Sequence, residues 1–138
     1  MEINKYEIRV LIKNTFLCVI ISMDVIILIK QEISKWKFGI NNEELINLVL
    51  DGKKIATTSL FNNKITPIGE ESIILHDDNS YACKIKINKV IITKFKDVTE
   101  EEAKLEGEGD LSFTYWRNVH KDYFNQFANF DEDMLVMI

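Results

Sequence analysis

The sequence predicts a mixed α+β domain, because segments with helical and strand-like periodicity follow one another along the chain. Apolar residues have helical spacing over residues 45–50 and again over residues 111–126, whereas residues 72–87 hold two strand-like segments around a polar cluster. The length of 138 residues and the 46% hydrophobic content suit one compact domain that buries its own core.

The first predicted helix lies in the segment NNEELINLVLDG. Its apolar face carries Leu45, Ile46, Val49 and Leu50. Asn41 or Asn42 is expected to cap the first amide groups, and Gly52 is expected to end the helix in the left-handed conformation. The next segment, KKIATTSLF, is rich in threonine and apolar residues and is predicted to be a strand.

A β-hairpin is predicted where the polar residues 77–80 separate SIILH from YACKIKI. In its second arm the isoleucines alternate with Lys84 and Lys86, so one face should pack inward and the other should present ammonium groups. Residues 84–96 contain five lysines and no acid, whereas residues 97–110 contain seven acids and one lysine. This lysine run predicts either a phosphate-binding surface or simply a solvated strand face.

The C-terminal third contains two further helix signals. Thr99 and Glu102 form a capping-box pattern that predicts a short acidic helix, which EGEG at residues 106–109 should end. The second helix is expected over residues 111–126, with Asp110 or Ser112 as its cap. Tyr115 and Trp116 at helical spacing are typical of core residues, and base stacking is the alternative. The tail FDEDMLVMI predicts the start of a strand.

Residues 15–29, TFLCVIISMDVIILI, form the most apolar stretch of the chain. The stretch is shorter than the roughly 20 residues of a membrane span, and Asp24 interrupts it. No small-residue cleavage site follows, as a signal peptide would require. We therefore expect a buried segment and no membrane association, and both strand and helix remain possible.

The net charge and the spacing of the histidines and cysteines each disfavour one class of function. The net charge of −5 disfavours coating of nucleic acid by bulk electrostatics. His76 and His120 have no partner at a metal-ligand spacing, and Cys18 and Cys83 form no C-x-x-C pair. We therefore expect no metal and no cofactor, and a reducing, cytoplasmic location. The sequence makes no prediction of oligomeric state.

The strings LINLVLDGKKIATTSLF, GEESIILHDDNSYACKIKI and FKDVTEEEAKLEGEGDLSFTYWRNVHKDYF resemble the bacterial ASCH-domain proteins in order and spacing. With Trp36, Phe38 and Gly39, the resemblance covers roughly residues 36–136. It implies an ASCH domain at residues 36–138, with a PUA-like β-barrel, two or three flanking helices and a role centred on RNA. Residues 1–35 look atypical and are expected to pack on the domain. The chain also stops where relatives continue through a closing strand, so a truncated or degraded copy is a third interpretation.

The resemblance also implies candidate catalytic residues. Amidohydrolases of the wider family that act on acetylated cytidine use a Lys, a Thr three residues later and a Glu on a following strand. The first two fall on Lys54 and Thr57, whereas the Glu position holds Lys86. An ammonium group cannot take the proton of a threonine hydroxyl, so Lys86 should weaken hydrolysis. Next to Lys54 it should make the pocket more cationic and suited to phosphate.

The expected function is therefore binding of RNA or a modified nucleoside in a cleft lined by lysine and threonine. The candidate ligand-binding residues are Lys53, Lys54, Thr57, Thr58 and Lys86. The alternative is a hydrolase, acting on acetylcytidine or on RNA, that uses Lys54 and Thr57.

Overall fold

The computed structural model describes residues 10–12, 16–22, 25–30 and 32–138. In the N-terminal unit, β1 (Val10–Ile12), β2 (Phe16–Ser22) and β3 (Val25–Lys30) form an antiparallel sheet in the order β1-β2-β3. The described residues of the apolar segment, 16–22 and 25–29, are therefore in strands and not in a helix. The expected burial of this segment, and the packing of residues 1–35 on the domain, depend on the side chains of residues 1–31, which lie outside the described part of the chain.

The second unit, Ser34–Ile138, contains the predicted hairpin. Its first sheet comprises β4 (Ser34–Trp36), β6 (Glu71–Leu75) and β7 (Tyr81–Lys86), in the order β4-β6-β7. Strands β6 and β7 are antiparallel, which confirms the hairpin, and β4 runs parallel to β6. On β7 the partly buried Ile85 lies between the exposed Lys84 and Lys86, as the alternation predicts.

The second sheet of this unit joins three distant parts of the chain. It comprises β5 (Ser59–Leu60), β8 (Ile92–Lys94) and β9 (Leu135–Met137), in the order β5-β9-β8. The strand expected in the C-terminal tail is thus confirmed. The strand predicted over residues 53–61 is reduced to β5, because Ile55 and Ala56 donate their amide hydrogens to the carbonyl of Leu105 instead of to a neighbouring strand.

Helix α1 (Asn42–Leu50) begins and ends near the predicted residues. Asn41 occupies the cap position in the left-handed conformation, but its side chain makes no capping hydrogen bond. The Asn42 side chain instead accepts from the Phe38 amide and donates to the carbonyl of Leu75, so it joins the helix to the first sheet. Gly52 has a φ of 69°, which confirms the predicted left-handed end.

The two C-terminal helices have the caps that the sequence predicts. Helix α2 (Glu100–Lys104) begins with a complete capping box, in which the Glu102 amide donates to Thr99 Oγ1 and the Thr99 amide donates to Glu102 Oε2. Helix α3 (Phe113–Phe124) is capped by Ser112, whose hydroxyl accepts from the Tyr115 amide at 3.0 Å. These local bonds explain why both helix starts are readable from the sequence.

Half of the main buried cluster in the core of the Ser34–Ile138 unit is aromatic. Its members are Phe95, Val98, Ala103, Trp116, Phe124 and Val136. The Trp116 ring stacks on Phe95 with 5.2 Å between ring centroids, so Trp116 is a core residue and does not stack on bases. Tyr115 is only partly buried.

Three helices and two sheets in residues 34–138 confirm the α+β class. Within the described residues the strand pairings form separate three-stranded sheets and do not close a barrel. The predicted barrel is thus supported only as far as its component strands and flanking helices. No helix in the described part of the chain has the length and apolar character needed to cross a bilayer.

Candidate functional site

A cavity of about 630 Å³ opens into the Ser34–Ile138 unit. The first sheet contributes Trp36 and Ile85 to its lining, and helix α3 contributes Tyr123. Phe38 and Phe127 add two further aromatic rings. The volume lies in the range of roughly 300–1,000 Å³ that is usual for small-molecule sites.

Burial distinguishes the two ends of this cavity. Its mouth is formed by the exposed residues Ile40, Lys89 and Phe127, the last of which is 67% exposed. Among its buried polar lining residues, Thr58 and His120 both contact Glu106, and these three together with Glu108 are called the floor. The cavity therefore combines apolar walls with a small polar group at one end, as binding pockets commonly do.

Lys54 lies beneath this floor and pairs with both of its carboxylates. Its Nζ donates to Glu106 Oε2 at 2.8 Å and to Glu108 Oε1 at 2.6 Å. The side chains of Lys54 and Glu106 are each only 2% exposed, and that of Glu108 is 15% exposed. Because buried charges require partners, these three residues form one interdependent unit.

Glu106 is the centre of the cluster. Besides Lys54, it accepts hydrogen bonds at Oε1 from Thr58 Oγ1 at 2.6 Å and from Trp116 Nε1 at 2.7 Å. Burial alone would raise the pKa of Glu106, but the hydrogen bond from His120 and the charge of Lys54 outweigh it and hold the pKa well below the ordinary value of 4.5. Glu106 is therefore a carboxylate at neutral pH.

His120 completes the set of donors around Glu106. Its Nδ1 faces the Trp116 carbonyl oxygen at 2.9 Å, and its Nε2 lies 3.3 Å from Glu106 Oε1. Both ring nitrogens thus face oxygen acceptors, so whichever nitrogen carries a hydrogen donates within the cluster.

The chain geometry that brings Lys54 to the glutamates depends on Gly107. The segment containing Lys54 runs along the Leu105–Glu108 turn, where the amides of Ile55 and Ala56 bond to the Leu105 carbonyl. Gly107 has a φ of 68°, and a Cβ there would collide with the Lys53 carbonyl oxygen. Glycine therefore allows both the turn and the close approach of the two segments.

The structure brings together only part of the predicted site. Thr57 and Thr58 line the cavity, and Lys54 lies directly beneath its floor. Lys53 is exposed and pairs with Asp51 on the surface. Along this segment Lys54 and Thr58 are buried, and the residues between them are more exposed.

Lys86 does not occupy the position that the resemblance implied. Its neighbours Ile85 and Ile87 line the cavity, whereas Lys86 is exposed and is absent from the lining formed by the described residues. Alternation along β7 directs Lys86 to the opposite face of the strand. The described polar neighbours of the Lys54 ammonium are carboxylates, so these placements give no support to the expected cationic pocket around Lys54 and Lys86.

The lysine run at residues 84–96 is largely ion-paired on the surface. Lys84 pairs with Glu71 at 3.0 Å, while Lys94 and Lys96 share Asp133 at 2.8 and 2.7 Å. Hydrogen bonds from these two lysines lower the pKa of Asp133 to about 2. This pairing favours a solvated strand face over an extended phosphate-binding surface.

Glu106 and Glu108 were missed as site residues. Both belong to the EGEGD block that carries the family resemblance, but there the glycines indicated only a helix end. The available signal was two glutamates at alternate positions just before a helix that contains Trp116 and His120. Such spacing indicates paired carboxylates, but it does not indicate which lysine they meet.

The family comparison agrees with the sequence resemblance. The sequence model of the ASCH domain matches residues 34–138. The chain therefore belongs to the ASCH-domain family. No curated protein sequence matches it.

The solved structures that resemble this chain include one from Lactobacillus crispatus and one from Enterococcus faecalis. The ASCH domain from Lactobacillus crispatus JV V101 is 28% identical with a TM-score of 0.69, and the match covers 77% of this chain and 76% of that one. Protein EF3133 from Enterococcus faecalis V583 is 27% identical with a TM-score of 0.68, and the match covers 80% of this chain and 75% of that one. Both similarities support the fold described above.

Proposed function

We propose that the cavity binds one nucleobase, either of a modified nucleoside or of a nucleotide within single-stranded RNA. The observation that carries this proposal is an aromatic-lined cavity whose floor holds Thr58, Glu106 and Glu108. Membership of the ASCH-domain family supports it, because RNA binding is the general interpretation of that family.

The lining has the two features that a nucleobase requires. Trp36, Phe38, Tyr123 and Phe127 supply aromatic rings on which a base can stack. The carboxylate and hydroxyl groups of the floor can form hydrogen bonds with the edge of the base. A planar base would therefore bury its faces against the apolar walls and satisfy its polar edge at the floor.

Electrostatics favour few phosphate contacts. Lys37 and Lys89 line the cavity, but Glu70 lines it as well, and the chain has a net charge of −5. Binding of RNA should therefore weaken with salt only modestly, by a slope of about −0.7 in log affinity per neutralised phosphate of a single strand. A much steeper loss of RNA affinity with salt would mean that RNA contacts a more cationic surface than this cavity.

Two exposed aromatic residues allow a matched test of base stacking. Phe127 lies at the cavity mouth and is 67% exposed, whereas Tyr81 is 61% exposed and lies outside the lining. Calorimetric titration with cytidine, acetylcytidine, adenosine and short single-stranded RNA should give binding that Phe127→Ala weakens by about 5- to 100-fold. Tyr81→Ala should leave the affinity unchanged. The absence of binding by every ligand, or equal effects of the two variants, would contradict the proposal.

The phosphate contact has its own pair of variants. Lys89 lines the cavity, whereas Lys94 is exposed and paired with Asp133. In RNA titrations at several salt concentrations, Lys89→Gln should reduce the salt slope by about 0.7. Lys94→Gln should leave it unchanged. If both variants change the slope equally, RNA meets the lysine run and not the cavity mouth.

A second candidate function is hydrolysis of an acylated base, and the placement of Thr57 favours it. Thr57 is exposed and lines the same cavity as Glu108. Lys54 lies beneath the floor and bonds to Glu108 Oε1, so its role in this scheme is to position that carboxylate. In this scheme Glu108 accepts the Thr57 hydroxyl proton while Thr57 attacks the amide carbonyl. The C–N bond then breaks as the proton passes to the leaving amino group of the base, and water hydrolyses the Thr57 ester to release the acid.

Turnover of acetylcytidine distinguishes binding from hydrolysis. If the cavity is hydrolytic, Thr57→Val should lower turnover by about 10²-fold or more. Lys86→Glu is the matched control and should not raise turnover, since Lys86 lies outside the cavity lining formed by the described residues. If Lys86→Glu instead raised turnover by about 10²- to 10⁴-fold, Lys86 would occupy the position of the catalytic Glu, as the family resemblance implied. No turnover in any variant leaves the binding function alone.

A further inference from the structure

The two carboxylates at the cavity floor differ in how much hydrogen-bonding capacity they retain. Glu106 has donors at 2.8, 2.6 and 2.7 Å from Lys54, Thr58 and Trp116, with His120 Nε2 at a further 3.3 Å. Three of these donors meet Oε1 and Lys54 alone meets Oε2, and the whole side chain is only 2% exposed, so Glu106 presents little free acceptor surface to a ligand. It serves to hold the cluster together.

Glu108 has capacity to spare. Its Oε1 accepts from Lys54 at 2.6 Å, and no donor among residues 32–138 forms a hydrogen bond to its Oε2. Its side chain remains 15% exposed and lines the cavity. The Lys54 bond fixes one oxygen, which leaves the other as an acceptor that is oriented in advance.

We infer that Glu108 is the residue that selects the base, and that the cavity prefers nucleobases with an amino group on the pairing edge over uracil. This inference rests on the proposed function. Adenine, cytosine and guanine each present an amino donor on that edge, and a carboxylate accepts from such groups. Uracil presents one N–H group between two carbonyl oxygens, which would face the negative charge of Glu108.

The hydroxyl groups and the other carboxylate in the cavity lining would not discriminate between bases in the same way. Thr57 and Thr58 carry hydroxyl groups that donate as well as accept, so they do not discriminate between an amino group and a carbonyl. Glu70 also lines the cavity, but the described contacts hold no lysine against it in the way that Lys54 holds Glu108. Glu70 therefore supplies negative charge without the same fixed direction, and it provides a matched control.

The test is calorimetric titration of the full chain with adenosine, cytidine, guanosine and uridine. Unmodified protein should bind at least one amino-bearing nucleoside about 10- to 100-fold more tightly than uridine, as expected for a hydrogen bond to a charged group. Glu108→Gln should remove this preference by weakening that nucleoside and not uridine. Glu70→Gln should retain the preference.

A second variant, Glu108→Asp, tests the same inference if Glu108→Gln does not fold. Glu108→Asp keeps a negative charge near Lys54 but shortens the side chain by one methylene group, so it should also reduce the preference about tenfold or more. Equal affinities for all four nucleosides in the unmodified protein, or a preference that survives in the folded Glu108 variants, would overturn the inference and leave nucleobase binding standing. Failure of every nucleoside and of RNA to bind would overturn both.

Discussion

Replacement of Lys54 by methionine should be one of the most destabilising single changes in the domain. Methionine approximates the length of the lysine stem, so the change removes the charge and little packing. At distances of 2.8 and 2.6 Å, each ion pair has a gross attraction of about 6 kcal/mol at an effective dielectric constant near 20. The desolvation of the buried ions offsets most of this attraction in the intact cluster.

The variant loses the attraction but retains the desolvation of the carboxylates. Removal of one partner from a buried ion pair typically costs about 3–5 kcal/mol. For a domain of roughly 100 residues this corresponds to a Tm lower by about 12–20 °C. Since small domains are stable by about 5–15 kcal/mol, a part of the protein could be unfolded at room temperature.

The assay is thermal and urea unfolding followed by circular dichroism, with Lys53→Met as the matched control. Lys53 is the adjacent residue, but its side chain is 63% exposed and its partner Asp51 is on the surface. An exposed pair contributes at most about 1 kcal/mol, so the control should unfold near the unmodified protein. If Lys54→Met costs no more stability than Lys53→Met, the buried ion pairs of Lys54 do not stabilise the domain.

The pH dependence of this variant provides a second criterion. Without Lys54, burial should raise the pKa of Glu106 relative to its value in the intact cluster. Protonation then removes the uncompensated charge, so the stability difference from the unmodified protein should narrow as the pH falls from 7 towards 4. A difference that stays constant over this range would indicate lost packing and not lost charge.

Three further predictions test the same cluster. Gly107→Ala should destabilise the domain by more than Gly52→Ala, because both glycines have a left-handed φ but, of the two, only Gly107 lacks room for a Cβ. Urea unfolding should show a loss of unfolding free energy of about 1–2 kcal/mol for Gly52→Ala and a larger loss for Gly107→Ala. Thr58→Val should lose about 1.5–3 kcal/mol in the same assay because Thr58 donates to Glu106, whereas Thr57→Val should change stability by less than about 0.5 kcal/mol. Because the pKa of Glu106 is lowered on folding, its stabilising contribution should be present above its ordinary value of 4.5 and fall away as the pH drops below it, as acid titration of unfolding should show.

Each of these predictions has a clear contrary result. Equal losses for Gly107→Ala and Gly52→Ala would mean that the turn adjusts to a methyl group. Equal effects at Thr57 and Thr58 would place both hydroxyls in solvent. Stability that is constant from pH 5 to pH 2 would be inconsistent with a buried, ionised Glu106. Asp133, whose pKa is about 2, also titrates in acid, so the same titration is needed on the Asp133→Asn variant as a control.

The elements of this domain could be predicted where their signals are local. The Thr99–Glu102 capping box, the left-handed Gly52 and the polar turn at residues 77–80 each depend on residues a few positions apart. Their hydrogen bonds form within one turn of chain, so side-chain chemistry at fixed spacing is sufficient to indicate them. The amphipathic spacing that placed Trp116 in the core is local in the same sense.

The site could be predicted only in part. Lys54, Thr57 and Thr58 were recognised from the family resemblance, and all three lie at or beneath the cavity. An ungapped alignment, however, placed Lys86 at the expected carboxylate position, and the face of a strand on which a residue lies changes with a shift of one position. The carboxylates that meet Lys54 came from a different part of the chain.

The α+β class, the Thr99 and Ser112 caps, the hairpin and the family resemblance were all readable from the chain before folding, because each depends on side-chain spacing within one short segment. The burial of Lys54 against Glu106, which is 52 residues away, and its second bond to Glu108 became visible only in the folded chain. Contacts between remote segments depend on how the sheets and helices pack, and the ionisation of Glu106 depends in turn on the burial and donors that this packing supplies.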